Sequence, residues 1–596
     1  MDRWQTCWIA LVLLRIFWTL LPQSGYIHPD EFFQNSEVVA GDVLNLRVRR
    51  TWEFNKTQPI RSMLFPYITT GIPLFALKSI QGLLNKYTVQ LDVITTMNMV
   101  RASRIMTLFL SFLCDIMLYK IAKMLSLPAA KCIVLFASSY VTLIYYTHTF
   151  SNTIEAFLYT AFLYFVISSL KLREASKAKD KKENTEDDKA GEEKVNTIAL
   201  SSIIVFGIFN RPTFIVFAIV PFLYWMCCDL LPWRRESIFK MLHRCWQCFP
   251  GVLYATMTVI LFDSYYYGTF HGIPAKGILH VKMTDFTITP LNFLKYNLDA
   301  KNLAKHGIHP RWSHLVINLV LLFGTMDLTI KFCFFYDKMK SVFGSQSDEA
   351  NAEKPDFASR ITSVLFYCYF TPVVLLSFFP HQEPRFLIPL LVPAILVFLY
   401  RAQHWGHLLH FLLTSWFFWN TLGCILYGVL HQGGVIPAIG HLQGILANSG
   451  FSHTTHIVLY HTYMPPEHLF AIPAGNQRTL ARSRIPNVVI HDLAGAKEDV
   501  LKGTINKIKF SIQNNAHHEV YVVAPWTLDY MFNVEKYDLV DSKSGHFSAE
   551  DFVDFEDFFC ISPQFYKSRF CDNFSFIERL RMAFSLNIYQ LIRNKK

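Results

Sequence analysis

Twelve apolar runs recur along the chain, at about 7–22, 62–83, 103–118, 132–147, 153–170, 197–209, 213–231, 246–262, 314–330, 361–379, 387–401 and 407–429. A helix needs roughly 20 apolar residues to cross the hydrocarbon of a bilayer. No water is available there to satisfy backbone N–H and C=O groups, so runs of this kind force helices. Several runs fall short of that length, which a many-helix bundle tolerates because helices tilt, kink or stop part-way. The expected fold class is therefore a polytopic α-helical membrane bundle of about 10–13 spans. Composition agrees, since only 17% of the 596 residues are charged, where soluble domains carry about a quarter. Residues 7–21 imitate a signal peptide, but no small-residue cleavage site follows, so they read as an uncleaved first span.

The net charge of +11 could point to nucleic acid. The basic residues instead gather in short loops between apolar runs, which is the positive-inside pattern of a membrane protein. Lys120, Lys123 and Lys131 mark one such loop. The Lys- and Glu-rich stretch from Lys171 to Lys194 marks a second. Arg234, Arg235, Lys240 and Arg244 mark a third, and Lys331, Lys338, Lys340, Lys354 and Arg360 a fourth. Placing all four in the cytosol sends every loop of unusual polar chemistry to the other face: HPDEFFQ (28–34), HTFSNTIE (148–155), NRPTF (210–214), DSYYYG (263–268), HGIHPRW (306–312) and HQEPRF (381–386). Segment 62–100 must then return to its starting side, as a hairpin or as helices lying in the interface. Residues 431–596 are less apolar and carry β-like runs at 456–463, 487–492 and 519–525, which suggest a small mixed α/β domain outside the membrane. The expected division is a transmembrane catalytic module over 1–430 and a lumenal domain over 431–596. The module has a first lumenal loop at about 23–61 and a charged cytosolic loop at about 171–195.

Asp30 and Glu31 stand one step beyond the first span. Ionisable groups at a membrane boundary are costly to place and are candidates for function. A carboxylate there can take a hydroxyl proton, and one such base suffices for an inverting displacement. Asp30 is the better candidate base. Helix continuation through Phe32 and Phe33 would turn Glu31 elsewhere, toward a sugar or toward a base such as Arg104. His28 and Pro29 would fix the loop, Pro29 by locking its φ. Arg385 lies between two apolar runs beside His381, Gln382 and Glu383. Its planar guanidinium can grip a phosphate bidentately and stabilise charge on a leaving phosphate. Arg211 interrupts a long apolar stretch, and His309 and Arg311 precede another span. Each of these three fits either a substrate contact or a helix end.

No HExxH and no tight His/Asp pair accompanies His28, His309 or His381, and Cys245–Cys248 is a lone CxxC, so no metal is expected. Cys560 and Cys571 could form a disulfide if their tail lies in an oxidising lumen. The sequons at Asn55 and Asn573 fall on the same expected side. A transporter would distribute polar residues along its spans at mid-membrane depth, whereas here they gather at span ends.

HPDEFFQ, NSEVVAGDVL…TWEF, SNTIE, FNRPTF, DSYYYG, HGIHPRW, HQEPRFLIPL and TYMPP (462–466), in that order, resemble the glycosyltransferase family 22 mannosyltransferases. The resemblance covers about 20–470. It implies a GT-C type enzyme of the endoplasmic reticulum with a lumenal active site. It implies dolichyl-phosphate mannose as a donor substrate, with no separate cofactor, and a lipid-linked glycosylphosphatidylinositol (GPI) intermediate bearing three mannoses as acceptor. A fourth mannose in α1,2 linkage would follow. The alternatives are transfer of the third GPI mannose or of a lumenal N-glycan-precursor mannose. The family's acidic loop motif maps the base onto Asp30, with Glu31 beside it, and its HQEPRF motif maps the donor-phosphate contact onto Arg385.

Overall fold

Arg15 lies inside an apolar helix, Arg3–Leu20, where a lone charge would be costly. In the computed structural model it is fully buried, and its Nη1 donates to Asp115 Oδ2 at 2.8 Å and to Ser111 Oγ at 3.1 Å. Its guanidinium also lies over the rings of Phe112 and Phe136. Both partners, Ser111 and Asp115, stand on the long helix Thr96–Met124. Pairing of this kind makes charges tolerable at such depth.

The structure describes residues 2–21, 23–89, 91–178, 186–228, 230, 235–269, 282, 285–297, 307, 309–343, 356–448, 454–475, 487–512, 518–548, 551 and 575–592. The expected Cys560–Cys571 disulfide and the Asn573 sequon lie outside these residues.

Among the described residues six helices are long and apolar enough to span a membrane: Thr96–Met124, Ser151–Ser176, Glu236–Tyr267, Phe357–Leu376, Pro384–Ala402 and His407–Leu430. The helix pair Ala129–Ser138 and Tyr140–Thr147 passes the same test when taken together and is bent by 59° at its break. The break is hydrogen-bonded: the Tyr140 N–H donates to Asn420 Oδ1 at 2.7 Å, and the Val141 N–H donates to Ser139 Oγ. A kink inside an apolar layer needs such replacements for the lost helical bonds. Phe214–Cys227 and His314–Phe323 are apolar but shorter. Two further expected spans, at Arg3–Leu20 and Glu186–Asn210, are helical but do not meet the same standard.

The chain falls into two compact units. One comprises Met1–Phe17, Thr51–Ile68 and Met106–Thr421, and the other Trp18–Arg50, Thr69–Ile105 and Leu422–Lys596. This differs from a boundary near 430, because the second unit takes the HPDEFFQ segment and 69–105 together with the C-terminal region. Long-range ties inside that unit account for the grouping. Leu46 forms a bridge with Pro473, Arg47 pairs with Glu467 at 2.9 Å, and Glu37 binds His468.

Segment 69–105 contains the helix Ile72–Lys86. It continues without a break from the turns Leu64–Pro66 and Tyr67–Gly71. Ile72, Phe75, Ile80 and Leu83 form an exposed apolar stripe. The opposite face is tied down by Lys78 to the Val43 carbonyl and by Gln81 Oε1 to the Val93 N–H.

The C-terminal region forms one five-stranded sheet: β1 (Thr454–Leu459), β2 (Asn487–Asp492), β3 (His518–Pro525), β4 (Tyr537–Ser544) and β5 (Ser585–Leu591), in the order β2-β1-β3-β5-β4. β1 runs parallel to β2 and β3, while β5 runs antiparallel to β3 and β4. The helix Glu498–Ile512 covers it with Leu501, Ile505 and Ile508, packed with Val520 and Val522.

Three histidines stack across the parallel strands. His456 lies 5.5 Å from the His491 ring and 5.6 Å from the His518 ring. Burial, with repulsion from His491 and His518, pushes His456 down to about 4, and burial also lowers His491. The folded sheet therefore excludes protons that the unfolded chain binds near the ordinary value of about 6.5. Stability is full above that value and is lost as pH falls toward 4. Limited proteolysis of the full chain should open 454–592 progressively between pH 7 and pH 5. The His456→Phe variant should flatten that dependence, and an unchanged pH profile would exclude the stack as its cause.

Candidate active site

Each unit builds one group of chemically capable side chains. In the unit holding Trp18–Arg50, the chain turns into a helix at Pro29. The Asp30 N–H donates to His28 Nδ1 at 3.1 Å, and the Phe32 and Phe33 N–H groups donate to the Pro29 carbonyl. Proline suits a first helical turn because its missing N–H would have no helical partner there. The helix continues as a π-turn, Phe32–Ser36, all of it buried, and then as Glu37–Leu44. Phe32 packs edge-on against Tyr26 at 5.1 Å. These apolar anchors leave the neighbouring acids in opposite situations.

Asp30 keeps 27% of its side chain exposed, and Oδ2 accepts from Gln34 Nε2 at 2.7 Å, one turn along the helix. It stands in the first turn, where the helix dipole favours a negative charge. Glu31 is buried, and its Oε1 accepts from Arg104 Nη2 at 2.7 Å and from Nε at 2.9 Å. Burial pushes the Glu31 carboxyl up to about 7 although Arg104 pulls it down. Arg104 also donates to the Gln23 carbonyl, which anchors the segment entering the turn. Of the two readings open for Glu31, pairing with Arg104 is the arrangement present. His28 holds the turn from its imidazole. Beyond it, buried Glu37 accepts from the Arg49, Glu467 and His468 N–H groups and contacts His468 Nδ1 at 2.5 Å.

In the other unit the HQEPRF strap precedes a 3-10 turn, Pro384–Leu390. Glu383 is extended, the conformation a following proline favours. Its carboxylate bridges His381 Nε2, at 2.7 Å, and Arg385 Nε. The Arg385 guanidinium is almost fully buried and lies 5.4 Å from the Phe386 ring centre and 5.9 Å from Phe150. The Arg211 guanidinium reaches the same Phe386 ring at 5.3 Å. Arg211 is held by Glu155 at 3.4 Å and by Ser151 Oγ at 3.0 Å, so the NRPTF and SNTIE motifs interlock. Thr213 Oγ1 adds a bond to Glu155 Oε1 at 2.9 Å. The His309 ring lies 5.6 Å from His381, and its Nδ1 accepts from the Gln382 N–H. The Arg311 carbonyl accepts from Gln382 Nε2, while the residue itself is exposed.

Five candidates, Arg211, His309, His381, Glu383 and Arg385, thus share one cluster. His28, Asp30 and Glu31 share another. Such a pair of guanidiniums, each oriented by a carboxylate and stacked on one ring, suits a planar or tetrahedral oxyanion. An acid on a helix start, partly open to solvent and held by an amide, suits proton acceptance. Among the described residues no three His, Cys, Asp or Glu side chains converge as a metal site.

The family model of the Alg9-like mannosyltransferase family matches residues 6–471. The chain belongs to this mannosyltransferase family. It is 34% identical to GPI alpha-1,2-mannosyltransferase 4 of Homo sapiens over 480 residues, covering 78% of this chain and 76% of that protein. It is 28% identical to GPI mannosyltransferase 4 of Drosophila melanogaster over 588 residues, covering 88% and 82%. Among solved structures it is similar to ArnT from Cupriavidus metallidurans bound to undecaprenyl phosphate, with a TM-score of 0.48 and 10% identity, covering 90% of this chain and 96% of that one.

In this family member several residues of the clusters were not singled out from sequence. Glu155 lies in the quoted SNTIE motif, and its role follows only from the contact with Arg211. Gln382 lies inside HQEPRF, where its side chain ties the strap to the His314 N–H at 3.0 Å. Phe386 is one of 53 phenylalanines, and no local pattern marks it as the ring beneath two arginines. Asn55 is exposed, as a sequon must be to accept a glycan.

Proposed function

We propose that the chain is a GPI mannosyltransferase of the endoplasmic reticulum. It moves mannose from dolichyl-phosphate mannose to the third mannose of a GPI precursor, forming an α1,2 linkage on the lumenal side. The observation that carries this reading is the 34% identity, over three-quarters of both chains, with a protein named GPI alpha-1,2-mannosyltransferase 4. The basic loops that would stay cytosolic, with every polar motif on the other side, support the lumenal assignment.

In this reading the acceptor hydroxyl oxygen attacks the anomeric carbon of mannose from the face opposite the phosphate. The new C–O bond forms as the bond to the phosphate oxygen breaks, so configuration inverts. The hydroxyl proton passes to Asp30, and the bonding pair leaves with dolichyl phosphate. Gln34 keeps the Asp30 carboxylate aimed, and Glu31 positions the turn through Arg104. Arg385 meets the charge building on the leaving phosphate, with Arg211, His309 and His381 as its neighbours.

Expression in cells lacking the fourth-mannose transferase tests the reading. Mass analysis of GPI intermediates should show a four-mannose species. Accumulation of the three-mannose species alone, from a well-expressed chain, would overturn it in favour of an earlier GPI mannose or an N-glycan-precursor mannose.

A further inference from the structure

His314 stands at the start of a π-turn, His314–Asn318, and is fully buried. Its backbone N–H is taken by Gln382 Oε1 of the HQEPRF strap, and its ring lies 6.4 Å from Phe386, the ring shared by Arg211 and Arg385. The Nδ1 atom faces Asn318 Nδ2 at 3.0 Å. An amide nitrogen can only donate, so Nδ1 accepts and the ring proton sits on Nε2. That Nε2–H, the ring nitrogen farthest from Cβ, is buried and has no hydrogen-bond partner among the described residues. A buried donor left unmet is costly, and an oxygen of a bound ligand would meet it.

We infer that His314 is a further binding residue of the Arg211–Arg385 cluster, donating its Nε2–H to an oxygen of the lipid phosphate. The assignment rests on the donor reading above. The ring contributes a neutral, directional donor beside the Arg211 and Arg385 guanidiniums. Asn318 holds the tautomer, and Gln382 fixes the position of His314 relative to the Arg385 strap. A hydrogen bond to a charged acceptor is worth enough to change affinity by about 10- to 100-fold.

The test is binding of polyprenyl phosphate to the purified full-length protein in detergent. His314→Gln places an amide N–H near the Nε2 position, whereas His314→Asn places one near Nδ1. The wild type should bind, His314→Gln should stay within about threefold, and His314→Asn and His314→Leu should weaken by about tenfold or more. Equal affinity for all four would overturn the role of His314 and leave the donor reading standing. Equal loss in the Gln and Asn variants would also overturn it, since it would reflect packing rather than a donor. Absence of binding by the wild type would overturn the donor reading and this assignment together. If His314→Leu loses its monodisperse elution, the Gln–Asn comparison alone decides.

Discussion

Asp30→Asn should yield a folded protein that transfers almost no mannose. The side chains have the same shape, and Asn keeps an oxygen to accept from Gln34 Nε2, which now lies 2.7 Å from Asp30. The anchors of the turn are elsewhere, in buried Phe32 and Phe33 and in the His28 ring that accepts the residue-30 N–H. With a partly exposed side chain at stake, the stability change should stay within about 1 kcal/mol. What disappears is basicity. A positioned base typically contributes about 10²- to 10⁴-fold, and an amide cannot accept the hydroxyl proton. Transfer from dolichyl-phosphate mannose and thermal unfolding should be measured on the same preparation. Normal turnover in a well-folded variant would remove Asp30 as base. Loss of both activity and folding would point instead to a structural role for the Asp30–Gln34 contact.

The distinction between the two acids was legible from helix geometry alone. Adjacent residues on a helix point about 100° apart, so both could not face one substrate. That Glu31 meets Arg104 is a contact across 73 positions of sequence, and periodicity within either segment carries no sign of it. The same limit applies to the HQEPRF strap. Arg385 could be suspected from its place between two apolar runs, and Arg211 from interrupting another. Their common stacking on Phe386 depends on how distant helices pack. In the C-terminal sheet, the runs at 456–463, 487–492 and 519–525 correspond to β1, β2 and β3, which are apolar and β-branched. β4, YDLVDSKS, is too polar to stand out, and β5 follows closely on the helix Phe576–Ala583. The order β2-β1-β3-β5-β4 is non-sequential, so it is set by tertiary pairing rather than by any turn signal. Sequence pattern therefore located the polar loops and most of the elements, while long-range contact decided which side chains hold one another.

Glu31→Leu should be the most destabilising single change in the HPDE segment, and more damaging than Arg104→Leu. Both side chains of the pair are buried, at 1% and 2% exposure. Breaking a buried ion pair from one side costs about 3–5 kcal/mol, because the remaining charge has lost its partner. The two residues differ in what they can do next. Arginine cannot shed its proton at any accessible pH, so Glu31→Leu strands a permanent cation. Glutamate can take up a proton and become neutral, and burial already holds its carboxyl up at about 7. Arg104→Leu removes the group that lowers it, so the acid should stay protonated to higher pH still. The Arg104→Leu variant should accordingly be mildest in acid and should lose stability as pH rises, since ionisation then has to occur without a counter-ion. The double variant leaves neither charge behind and should recover most of what Glu31→Leu loses. A double-mutant cycle by thermal unfolding in detergent, run at pH 6 and pH 8, checks all three statements. Additive single changes would mean that the pair is not coupled. Recovery of mannose transfer along with stability in the double variant would assign Glu31 to positioning. A folded but inactive double variant would instead assign the Glu31 carboxylate a direct part in the reaction.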